Sequence, residues 1–172
     1  MKNLETYKVF TADKINLFGI KKFMKLKTVQ LSSIGKIEGW KELLNCTNLI
    51  EFDYNGHNLD ILDFKDANAP LSNLTIHGDF STIDNLGNLP ALKELDIKSE
   101  KKYAKLNITS KLESLTRITL QGNFHSINGL ENAENLLELE TYSSVKIKDT
   151  KFLSDLMTKY GFKRLEDGVY LK

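Results

Sequence analysis

Apolar residues recur along the chain in a fixed phrase, apolar-x-x-apolar-x-apolar. It reads Leu4-Tyr7-Val9, Leu26-Val29-Leu31, Leu49-Phe52-Tyr54 and Leu71-Leu74-Ile76, then Leu92-Leu95-Ile97, Leu115-Ile118-Leu120 and Leu136-Leu139-Thr141. Successive third members lie 22, 23, 22, 21, 23 and 21 residues apart, and only Thr141 is weakly apolar. Two apolar residues separated by one polar residue share one face of a strand, so each phrase predicts a short strand with its apolar pair inward. Strands repeated at this period stack side by side in a parallel sheet, and no single unit can bury its apolar edge alone.

A longer echo overlies the short one. HGDFSTIDNL at 77–86 returns as QGNFHSINGL at 121–130. Gly78 matches Gly122, Phe80 matches Phe124, Ile83 matches Ile127 and Leu86 matches Leu130, each 44 residues on. Adjacent units therefore differ. Three of them return through IEGWKELLNC, IDNLGNLPAL and INGLENAENL, whose apolar spacing of three predicts helical turns. Ile37, Trp40, Leu43 and Leu44 make the fullest amphipathic face, so the longest helix is expected there. The other four return through KINLFGI, LDILDF, KLNITS and VKIKDT, where Ile15/Leu17, Leu59/Ile61, Leu106/Ile108 and Val145/Ile147 alternate with polar residues as strands do. Near the end, TKFLSDLMTKYG predicts a helix with Phe152, Leu153, Leu156 and Met157 inward. Asp167-Gly168, between two apolar runs, predicts a hairpin that would cover the last strand edge. The N-terminal edge has no comparable cap. It is left exposed, paired edge to edge in a dimer, or continued in a longer parent chain.

The phrase, its period and its span over residues 4–157 resemble the bacterial leucine-rich-repeat family. The family's Asn position is kept at Asn123, replaced by Asp79 and Ser144, and lost at His57 and Glu100. The resemblance implies an α/β right-handed solenoid with a parallel concave sheet, its convex side alternating short helical turns and short strands. It implies one leucine-rich-repeat domain over residues 1–172, with about seven repeats over 4–157 and a helix-and-hairpin cap over 150–172. It also implies a non-enzymatic scaffold that binds a protein on its concave face.

Alternation identifies that face. Its residues include Glu51, Asp53, Asn73, His77, Glu94, Asp96, Arg117, Glu138, Glu140 and Tyr142, with Lys8, Phe10 and Lys98 beside them. The acids fall on alternate strands. Six of them stand against Lys8, Lys98 and Arg117, while the whole chain carries +1. Such a face favours a basic protein partner and speeds its capture. Against this, Arg117 can neutralise Glu94 and Glu138, and duplication copies acids without any selection for them. Tyr142 and Phe10 are candidate aromatic anchors, or end-of-stack packing.

Composition narrows the rest. The near-zero net charge of this 172-residue chain argues against a bulk nucleic-acid binder, and its lysine clusters read as solvated surface. Cys46 alone cannot make an internal disulfide, and its place on an apolar run predicts a buried thiol. The sequons at Asn45, Asn73 and Asn107 read as chance in an Asn-rich chain. No membrane-spanning run and no signal-peptide core appear, so a cytoplasmic home is expected, or a secreted one if a leader was trimmed. No metal, cofactor or catalytic motif is visible, and His77 lacks an evident nucleophile. Small bacterial leucine-rich-repeat proteins without a signal resemble, among other things, immunity proteins, and the acidic stripe would suit a basic toxin such as a nuclease. The alternatives are a secreted or surface host-interaction module of the internalin kind, or an enzyme built on the repeat.

Overall fold

The computed structural model describes residues 3–57, 59–141, 154, 155, 158–166 and 169–172. Its strands are β1 (Thr6–Asn16), β2 (Thr28–Glu38), β3 (Glu51–Gly56), β4 (Ile61–Asp63), β5 (Asn73–Gly78) and β6 (Thr82–Asp84). They continue with β7 (Glu94–Asn107), β8 (Arg117–Asn128), β9 (Glu138–Thr141), β10 (Lys163–Glu166) and β11 (Val169–Leu171). The main sheet runs β1-β2-β3-β5-β7-β8-β9-β11-β10. Every pair from β1 to β9 is parallel, and the β11–β9 and β10–β11 pairs are antiparallel.

The apolar phrase explains the register. Tyr7, Val29, Phe52, Leu74, Leu95, Ile118 and Leu139 lie opposite one another from strand to strand, and so do Val9, Leu31, Tyr54, Ile76, Ile97 and Leu120. From Val29 onward both rows are buried. A slip of one residue would turn a whole row outward, so the core fixes the register. Burying each side chain contributes about 1.5–3 kcal/mol.

At the end of this sheet the chain turns a tight corner. Gly56, Gly78, Ser99 and Gly122 stack there in register. A side chain at Gly78 would run into the carbonyl oxygen of Gly56, and one at Gly122 into that of Ser99. Gly122 also has a φ of +99°, which L side chains rarely adopt. Phe80, Ile83, Phe124 and Ile127 are buried just past the corner. The repeated phrase is therefore one bend made twice.

Beyond the corner the structure departs from the expected α/β solenoid with helical turns. The chain is mostly β, 49% strand against 12% helix. β1, β2, β7 and β8 run on through the bend. Their second arms, with β4 and β6, make further parallel pairs, so that parallel strands wrap the core in a barrel-like wall with a second parallel sheet. The expected alternation of helical and strand-like returns is also lost, because strands occur in both kinds of unit. Ile37 belongs to β2, Ile83 to β6 and Ile127 to β8. What remains helical in those returns is 3₁₀: Trp40–Asn45, Leu86–Asn88 and Leu130–Asn132.

The physical reason lies at Gly39, Asn85 and Gly129, which adopt left-handed conformations with φ of 70°, 59° and 77°. Each ends a strand arm and opens a turn. An inward strand residue followed three places later by an inward turn residue imitates the spacing of a helix. In the LDILDF return the phase shifts after the first residue: Leu59 is buried as expected, but Ile61 is exposed and Leu62 and Phe64 are buried in its place.

Asparagine supplies loop hydrogen bonds from a different place than the family's position. Asn48, Asn88 and Asn132 donate from the turns to the carbonyl oxygens of Met24, Phe64 and Ile108 on the preceding unit, at 2.6, 3.2 and 2.6 Å. The expected strand at Val145 and Ile147, the polar substitute Ser144, the inward residues Phe152, Leu153, Leu156 and Met157 and the turn Asp167-Gly168 lie outside the described residues. Among the described residues no helix is long and apolar enough to cross a membrane.

Candidate functional site

The main sheet's outward face is built from the positions between the apolar pairs. One row across the strands is Thr6, Thr28, Glu51, Asn73, Glu94, Arg117 and Glu138. The next is Lys8, Gln30, Asp53, Thr75, Asp96, Thr119 and Glu140. A third carries Phe10, Ser32, Asn55, His77, Lys98 and Gln121. The structure thus brings nine of the ten expected face residues onto one surface, and Tyr142 lies outside the described residues. Phe10 stands at one edge, 66% exposed. At the other edge, pairing of β11 places Val169 beside Glu140 and Leu171 beside Glu138. These two extend the face with apolar residues. They carry no repeat signal, and only the hairpin's antiparallel return reveals them.

Neutral hydrogen bonds hold several of the acids. Gln30 donates to Glu51 at 3.2 Å and Asn73 to Glu94 at 3.3 Å. His77 Nε2 lies 3.3 Å from Asp96 Oδ1, so this imidazole faces a carboxylate. Arg117 Nη2 is 3.0 Å from Glu140 and 3.5 Å from Glu138. The hydrogen bond to Glu140 and the charge of Glu138 hold this guanidinium above its usual pKa. Arg117 thus makes the expected pair with Glu138 and a second with Glu140, while Glu94 acts on it only through its charge.

Asp53 is the sharpest case. Burial pushes its carboxyl above the ordinary range. His77 and Lys8 oppose that rise, while Glu51 and Asp96 add to it. Strands about 4.8 Å apart place acids two strands away within about 10 Å, roughly one Debye length, so their fields partly sum. Between Asn73, Thr75, Glu94, Asp96, Arg117 and Glu140 lies an open depression of about 210 Å³. Its lining is mostly polar, and it offers three carboxylates and one guanidinium to a visiting group.

Cys46 is buried, and burial, with a smaller contribution from Glu42, pushes its thiol up to about 11. A thiol held protonated in that way is a core residue and not a nucleophile. Away from the sheet face, at the corner, His57, Asp79 and Glu100 come together from three separate units. No protein-family model matches the chain, and no curated protein matches it.

Proposed function

We propose that this chain is a non-enzymatic binding module that takes a basic protein on the outward face of its main sheet. The observation that carries the reading is the register of the acids. Glu51, Asp53, Glu94, Asp96, Glu138 and Glu140 fall in two adjacent rows of one exposed sheet, and the guanidinium among them is committed to Glu138 and Glu140. The acids of β3 and β7 are left to present a negative field. Such a field raises the capture rate of a positively charged partner and selects against acidic ones. A basic toxin, held by an immunity protein that imitates its nucleic-acid substrate, is the partner class this charge pattern fits.

The test is charge reversal on the full chain. The partner recovered from the source cells is measured against the wild type and against Glu51→Lys, Asp53→Lys, Glu94→Lys and Asp96→Lys combined, at low and high salt. Loss of binding together with loss of the salt dependence supports the reading. Unchanged binding sinks it.

A further inference from the structure

We infer that His57, Asp79 and Glu100 form a binding site for a divalent transition metal of the zinc class. The three side chains offer one imidazole nitrogen and two carboxylate oxygens, and those ligand atoms all lie within 4.8 Å of one another. His57 Nδ1 is 2.9 Å from Asp79 Oδ2. Around a metal bound at about 2.0–2.2 Å, neighbouring ligand atoms sit roughly 3.0–3.6 Å apart. The first pair, now at hydrogen-bond distance, lies just under that spacing and would open slightly around an ion, while the Glu100 carboxylate, within 4.8 Å of both, would close toward it.

The backbone fixes where the donors start. Gly56, Gly78 and Ser99 are register partners on β3, β5 and β7, and each donor is the next residue in the chain. The backbones approach so closely here that an added Cβ at Gly78 would meet the Gly56 carbonyl oxygen. Tyr54 adds a clamp, its hydroxyl donating to the His57 carbonyl oxygen at 2.6 Å. His57 and Asp79 thus follow directly on the ends of β3 and β5, and Glu100 lies within β7.

Charge and access agree. Two carboxylates and a neutral imidazole offset a dication, whereas Lys98 brings one positive charge to Glu100 alone, at 3.8 Å and on a side chain 44% exposed. His57 and Asp79 side chains are 59% and 41% exposed, so water can complete the coordination sphere. One nitrogen with two oxygens suits zinc, cobalt or nickel. Magnesium and calcium prefer oxygen donors alone.

The full-length chain is titrated calorimetrically with zinc chloride, and cobalt is followed by its visible absorption. The expected result is saturable binding of one ion per chain that 1 mM magnesium (on the order of extracellular levels) does not displace. His57→Ala, Asp79→Asn and Glu100→Gln should each weaken binding at least about tenfold, and melting without metal should confirm that each variant is folded. His125→Ala, outside the cluster, should leave affinity unchanged. Absence of saturable binding overturns the inference, and so does binding that keeps its affinity in His57→Ala or loses it in His125→Ala.

Discussion

The second arms and Asp53 on the main sheet treat a carboxylate in opposite ways. On the second arms, acids are matched. Hydrogen bonds from Lys14 and Lys36 hold Glu38 below the usual carboxylate range, and Lys101 and Ser81 do the same for Asp60. Asp63 is lowered chiefly by a hydrogen bond from Asn85, 2.8 Å away. Asn107 donates to Asp84 at 2.7 Å, and Asn128 to Asn107 at 2.8 Å, so even the neutral amides form a ladder there. On the outward face of the main sheet, Asp53 is pushed the other way by burial among like charges. Exposed ion pairs contribute little to stability, so the contrast is not about energy stored in pairs. It separates acids whose charge the fold itself answers, Glu138 and Glu140 beside Arg117 among them, from Asp53, whose charge burial penalises.

The strongest way to break that contrast is to reverse charge on each side in turn. Converting Glu51, Asp53, Glu94 and Asp96 to Lys should weaken a basic partner about a thousandfold, or about 4 kcal/mol. Neutralising Glu38, Asp60 and Asp63 to their amides should leave that affinity within about threefold, since these acids already have partners in the fold. Titration of both variants against the same partner checks the pair. Equal losses from the two sides would erase the distinction.

The corner that separates the sides comes next in size. Gly122→Ala must place a methyl group against the Ser99 carbonyl while holding a φ of +99°. A cost of about 3 kcal/mol is expected from the clash and the backbone strain together. Urea unfolding measures it, with Gln121→Ala as a neighbour expected to change stability by about 0.5 kcal/mol or less. If the two variants unfold alike, the corner is not the constraint it is taken to be.

This division also explains what the residues reveal on their own. The first arms are legible because period-two alternation and a repeat of about 22 residues place Glu51, Asp53, Glu94 and Asp96 without ambiguity. The second arms are not. Ile83, Leu86 and Leu89 have the spacing of a helix, yet a left-handed Asn85 splits them between β6 and a 3₁₀ turn. A one-residue phase error at Ile61 arises because Leu62 is equally apolar, and the local run cannot choose between them. His57, Asp79 and Glu100 are illegible for another reason: their spacing is set by strand stacking, so no motif within any one unit contains them.

A smaller test sharpens the role of Arg117. Arg117→Gln removes the one guanidinium of the face and frees Glu138 and Glu140. The more negative field should speed association with a basic partner about fivefold at low salt, and the gain should vanish at high salt. Stopped-flow association checks it. A slower on-rate would mean that Arg117 itself contacts the partner.

The smallest effect bears on the contrast most directly. The folded-state pKa of Asp53 is raised above its ordinary 3.8, so the native state binds this proton more readily than the unfolded state does. Its contribution to stability is present at low pH and is lost as pH rises through 3.8 and then through the folded value. Glu38, Asp60 and Asp63 are lowered and run the other way: their contribution is present at neutral pH and lost as pH falls. Asp53→Asn removes the first behaviour and leaves the second. Relative to wild type, the variant should gain stability as pH rises above about 4 and level off once the carboxylate is fully ionised. Denaturant midpoints across that range give the difference curve. A curve that stays flat would mean that the burial of Asp53 imposes no penalty on its charge, and its carboxylate would then belong with the matched acids of the other side.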